Sequence, residues 1–162
     1  MIKKLLLVFL SAFVLFSCEK EKNASTSSSA SGAYHLTAKF NGTLIDFSAS
    51  LAAEKYLDPS NGYTISVLGI GGTTNSSLPS FDFIIQSDSE IKAKTYNESS
   101  DGMLVSYSDK NFNTYDEDDQ FTITISSITN TEVRGTFAGK MIKSGSMEVI
   151  NVTDGSFKAK IY

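Results

Sequence analysis

Asn41-Gly42, set between YHLTAKF (34–40) and TLIDFSA (43–49), constrains the fold of this chain more than any other feature. The dipeptide is the strongest short signal for a two-residue type I′ hairpin, because both central positions of that turn need positive φ. Such a turn pairs Phe40 with Thr43, Ala38 with Ile45, Leu36 with Phe47 and Tyr34 with Ala49, which gathers the apolar side chains on one face. The other face pairs Lys39 with Leu44, Thr37 with Asp46 and His35 with Ser48. A slip of one residue would bury Lys39 and Asp46, so turn and pattern specify the same register. The expectation is a hairpin with one wet face.

Period-two alternation then recurs. Phe121, Ile123 and Ile125 alternate with Thr122, Thr124 and Ser126, and Phe81, Phe83 and Ile85 behave likewise. Val133, Gly135, Phe137, Gly139 and Met141 share one parity against Arg134, Thr136 and Lys140; the two glycines mark tight curvature or close sheet packing. Residues 63–71 are apolar on both faces, as an interior strand is. Asp154-Gly155 reads as a last hairpin turn, pairing Val152 with Phe157 and Ile150 with Ala159. Glu148 opposite Ile161 then calls for a bulge or an edge position. Nothing beyond residue 33 sustains a period of 3.6, and Leu51 to Leu57 could form two helical turns at most. The expected class is all-β: an antiparallel β-sandwich or partly closed barrel of about ten strands, in a single domain over 34–162.

The first residues have another character. Lys3 and Lys4 precede an uncharged run from Leu5 to Phe16, and Leu15-Phe16-Ser17-Cys18 sets a small residue before the only cysteine of the chain. A spanning helix takes roughly 20 apolar residues, so this run is too short for one and better fits the h-region of a cleaved signal. The segment resembles the lipobox of bacterial lipoproteins, whose cysteine is acylated and becomes the mature N-terminus. That resemblance implies a signal peptide over 1–17, lipidation at Cys18, a membrane partner held through the anchor, and a place at the outer membrane of a bacterial cell envelope. Cys18 has no disulfide partner within the chain. EKEKNASTSSSASGA (19–33) cannot bury enough surface to offset its ordering entropy, so 18–33 reads as a lipidated terminus and flexible, serine-rich tether reaching about 20 Å. Its opening EKEK is similar to the acidic export signals of Bacteroidota surface lipoproteins; a merely solvated tether reads the same.

Charge and residue supply narrow the chemistry. There are 14 basic and 18 acidic residues, and removal of Lys3 and Lys4 makes the chain more acidic still. The lysines are scattered, so nucleic acid is not an expected partner. Nucleophilic catalysis lacks a free cysteine, and the only histidine, His35, falls mid-strand on the polar face, where a solvent-facing role is expected. One histidine and no free thiol do not furnish a zinc site. Carboxylates are plentiful enough for a glycosidase pair, although short turns leave little material for a cleft. Tyrosines at 56, 63, 96, 107 and 115 offer rings for sugar stacking, against a plainer reading as ordinary strand composition.

The densest feature is DKNFNTYDEDD (109–119), expected to be a loop between strands. Asp109, Asn111, Asn113 and Glu117 follow calcium-loop spacing, but Thr114 and Gln120 stand where that loop needs glycine and a bidentate glutamate. The expectation is a solvated turn. No catalytic, cofactor-binding or metal residue is assigned, and no cofactor.

GTFAG (135–139) and VTDGSFKAKI (152–161) resemble the C-terminal hairpins of small uncharacterised Bacteroidota lipoproteins, which also open with a strand, an Asn-Gly or Asp-Gly turn and a second strand. That resemblance implies a β domain and carries no catalytic residue across. The expected role is a lipid-anchored, non-enzymatic binding or accessory module. A small glycan-acting hydrolase with paired carboxylates, or a structural component of the envelope, are the alternatives.

Overall fold

The computed structural model describes residues 33–60, 62–72, 77–99 and 101–162. The signal segment, Cys18 and the tether up to residue 32 lie outside the described residues. Eleven strands follow: β1 (His35–Phe40), β2 (Thr43–Asp46), β3 (Ser50–Asp58), β4 (Gly62–Ile70), β5 (Ser80–Ser87), β6 (Thr95–Asn97), β7 (Gly102–Ser108), β8 (Thr114–Glu117), β9 (Thr122–Ile128), β10 (Glu132–Lys143) and β11 (Val149–Lys160). No helix occurs among the described residues.

The strands form one antiparallel sheet, ordered β2-β1-β11-β10-β8-β7-β5-β4-β3, curled into a half-barrel. β10 carries a fork: its first half pairs with β9, which carries β6, and its last three residues pair with β8. The open side is closed in part by a parallel bridge between Ala53 and Ile161, where the Tyr162 N–H donates to the Ala53 carbonyl at 3.1 Å. A second parallel bridge joins Ser48 to Ile70, and the choice between sandwich and barrel thus falls to a single curled sheet.

The first hairpin has the expected register. Phe40 faces Thr43, Ala38 faces Ile45, and the Phe47 N–H donates to the Leu36 carbonyl at 2.8 Å. Asn41 and Gly42 hold φ of 46° and 82°, as a type I′ turn requires. Leu36, Ala38, Phe40 and Phe47 are buried, whereas Tyr34 is exposed. Inside the curl, Phe40 stacks on Tyr107 at 4.2 Å and Phe81 on Phe137 at 4.6 Å between ring centroids. β4 lies between β3 and β5, with Ile65 and Val67 buried on its inner face and Leu68 exposed on the other, so it is interior to the sheet without being covered on both faces.

Two expectations are corrected. Asp154-Gly155 is not a hairpin turn but a bulge inside the continuous strand β11. Only Asp154 has positive φ, 54°, and β11 carries one extra residue opposite both neighbours, between Thr37 and Lys39 of β1 and between Phe137 and Gly139 of β10. A Cβ at Gly155 would collide with the Phe137 carbonyl oxygen and ring, and one at Gly135 with the Thr124 carbonyl, so both glycines are demanded by close packing. Leu51 to Leu57, expected to hold two helical turns at most, is strand throughout, because all nine residues of β3 pair along β4. Finally, residues 114–117 of the acidic segment form β8 rather than loop.

The topology gives the half-barrel two distinct ends. His35 faces Lys158 and Phe40 faces Val152, so the chain enters beside the end of β11. The 129–131 connection and Tyr162 lie at this entry end, where the Ile161 N–H donates to the Thr131 carbonyl at 3.0 Å. The Asn41-Gly42 turn and the connections 109–113 and 144–148 lie at the far end.

Candidate functional site

The residues singled out in the sequence do not converge. His35 bridges β1 and β11: Nδ1–H donates to the Ala33 carbonyl at 3.1 Å, and Nε2 accepts from the Ser156 hydroxyl at 3.0 Å. Tyr96, Tyr107 and Tyr115 are core residues. The Tyr96 hydroxyl donates to the Lys92 carbonyl at 2.8 Å and accepts its N–H at 2.9 Å. Burial, with the charges of Asp109 and of the ionised Tyr115 hydroxyl adding, pushes the Tyr107 pKa up to about 12. Tyr56 and Tyr63 reach the surface instead. With Lys55, Leu57, Asn130, Ile161 and Tyr162 they line a groove of about 370 Å³ at the entry end.

The pleat divides the acidic segment. Tyr115 is buried and Asp116 exposed, so the Glu117 side chain returns toward the core side. Its Oε2 accepts the Val105 N–H at 3.0 Å, capping β7 where β8 leaves it. Burial pushes Glu117 above the usual carboxylate range; the Val105 bond counters this in part, and Glu98 and Asp116 add to it. Asp116 accepts the Ser144 hydroxyl at 2.7 Å, and Asp118 accepts the Gln120 N–H at 3.1 Å. Among the described residues, no three carboxylate, histidine or cysteine side chains are grouped to hold a metal ion. Asp82 is the other carboxylate raised by burial, and it lies on the outer face, opposite in parity to buried Phe81 and Phe83. The raised carboxylates therefore sit on opposite faces of the sheet.

Asp109 organises the far end. Its Oδ1 accepts the N–H groups of Asn111 at 2.7 Å and Asn113 at 3.0 Å, and its Oδ2 accepts the Asn113 side-chain amide at 2.8 Å. Burial works against its charge, but these bonds and the nearby Lys143 outweigh it and hold Asp109 below the usual carboxylate range. Two main-chain bonds close the same loop, Asp109 N–H to the Asn113 carbonyl at 3.0 Å and Phe112 N–H to the Asp109 carbonyl at 3.1 Å. The loop so built places Phe112 at φ 64° with its side chain 82 % exposed. A bulky residue at that angle is strained, and the place would suit glycine or asparagine.

The neighbouring connection does the same with a methionine. The Lys143 N–H donates to the Glu148 carbonyl at 2.9 Å, and Gly145 takes the positive φ of 77°. Met147 stands 90 % exposed at the tip. The 144–148 connection is tied to β8, the strand that follows the 109–113 loop, by the Ser144 N–H to the Thr114 carbonyl at 2.8 Å and by the Ser144–Asp116 bond. Sequence reasoning missed this pair; the available signal was a phenylalanine within DKNFNT, a turn segment otherwise wholly polar. The arrangement supplies two pre-ordered apolar projections for contact.

No protein-family model, no curated protein and no solved structure matches this chain.

Proposed function

We propose that this chain is a lipid-anchored protein of the bacterial outer membrane, acylated at Cys18, whose β domain is a non-enzymatic binding module with a protein partner. One observation carries the binding role: Phe112 and Met147 project from two internally hydrogen-bonded loops at the end opposite the entry of the chain. A rigid loop has already lost the conformational freedom that binding would cost, so apolar tips on such loops favour association. Aromatic and methionine side chains are also enriched in interface cores. Supporting the anchor is the order of basic residues, apolar run and Ser17-Cys18 in the sequence.

Photo-crosslinking in intact envelopes tests the binding role. A photoreactive phenylalanine analogue at position 112 should give one discrete adduct that Met147→Ser abolishes, while the same analogue at Lys140 on the outer face gives none. Adducts of equal yield at both positions, or none, would overturn the proposal. The anchor is tested separately: Cys18→Ala should move the protein out of the membrane fraction, and intact mass should show acyl chains on the parent protein.

A further inference from the structure

We infer that the entry end of the half-barrel is a second, non-covalent membrane contact, seated in the interfacial layer of the bilayer that holds the acylated Cys18; it rests on the lipid-anchored reading above. The chain joins the domain at Ala33, so an anchor at Cys18 is tied to this end and not to the far one. Tyr34, Tyr56, Leu57 and Tyr162 are exposed here, Tyr162 by 75 %. The groove lined by Tyr56, Leu57, Ile161 and Tyr162 opens at the same place.

Tyrosine suits the boundary between acyl chains and headgroups because its ring is apolar and its hydroxyl wet. Lysine stems lie along apolar surface while the ammonium stays in water. Both occur side by side: Lys158 Nζ is 5.6 Å from the Tyr34 ring centroid and Lys160 Nζ is 4.5 Å from that of Tyr162. Among the described residues, Lys160 alone of the three cations here makes no ion pair, so charge is a minor part of this contact. Lys55 is paired with Glu90 at 3.3 Å and Lys158 with Glu132 at 3.2 Å. The contact should therefore form on zwitterionic lipid and resist salt, since ring burial is not screened. Seating this end leaves Phe112 and Met147 facing away from the bilayer.

The chain contains no tryptophan, so one introduced tryptophan reports its own depth. Full-length lipidated Tyr162→Trp and Phe112→Trp proteins are reconstituted separately into phosphatidylcholine vesicles with and without brominated acyl chains. Tyr162→Trp should be quenched about twofold or more by the bromines, with blue-shifted emission unchanged by salt, while Phe112→Trp stays unquenched. Tyr56→Trp should follow Tyr162→Trp, guarding against a local effect at one position. Flotation with vesicles but no quenching of Tyr162→Trp overturns the contact alone, as does equal quenching of Phe112→Trp. Failure to float overturns the anchor and the contact with it.

Discussion

Phe112 holds a backbone angle that glycine would hold without strain, and its ring touches mainly solvent. Phe112→Gly should therefore raise the unfolding free energy by up to about 1 kcal/mol, less the extra entropy glycine loses on folding. Urea denaturation checks the sign, and a drop would mean that the ring packs somewhere in the folded state. Glu117 makes a different residue-scale argument. Its folded-state pKa is raised, so the folded chain holds that proton more tightly than the unfolded chain. The stability it contributes is present below the ordinary value of 4.5 and is lost as pH rises through the raised value. Glu117→Gln keeps a carbonyl oxygen for the Val105 N–H and removes the charge, so the melting temperature of the parent should fall relative to the variant across that window. Parallel curves would show that Glu117 titrates as an exposed residue.

At the scale of elements, two glycine-containing pairs look alike in sequence and differ in what they build. Asn41-Gly42 needs positive φ at both positions and makes a turn; in Asp154-Gly155 only the aspartate takes it, and the strand continues. Gly42→Val should cost about 1 kcal/mol, from backbone strain alone, since nothing crowds that site. Gly155→Ala should cost more, about 2 kcal/mol or above, because the Phe137 backbone cannot yield as a side chain would. Equal costs in thermal melts would contradict the bulge. The first hairpin was legible because turn chemistry and alternation lie within sixteen residues of one another, 34–49. The bulge was half legible: Ile150 and Val152 are buried at even positions and Phe157, Ala159 and Ile161 at odd ones. A change of parity fits a hairpin as well as a bulge, and only the partners on both sides decide. The 109–113 loop adds a further expectation. Both Asp109 oxygens are already engaged by their own turn, so millimolar calcium should leave the melting temperature unchanged. A calcium-specific rise lost in Asp116→Asn with Asp118→Asn would reverse that reading.

For the whole molecule, the all-β class and single domain were legible from alternation, since period two leaves helices no amphipathic stripe. The choice of half-barrel over sandwich was not, because it rests on bridges such as that of Ala53 with Ile161, two residues with no local sequence relation. The two exposed tips were hidden for the same reason: the 109–113 and 144–148 connections come to the same end only once β8 pairs with β10. β11 also sets the order of events in time. Among the eleven strands it is the last to be synthesised, yet it lies between β1 and β10 and completes both. Asn41 and Asn151, whose main chains and side chain are bonded across that boundary at 2.8 Å, are 110 residues apart. Such non-local pairing delays folding, because loop-closure entropy is lost before contacts compensate. A chain ending at Ser146 should consequently show no cooperative unfolding transition by circular dichroism, and a native-like one would refute this. Until β11 emerges, β1 and β10 each lack the neighbour that joins them, and the polypeptide remains an open thread.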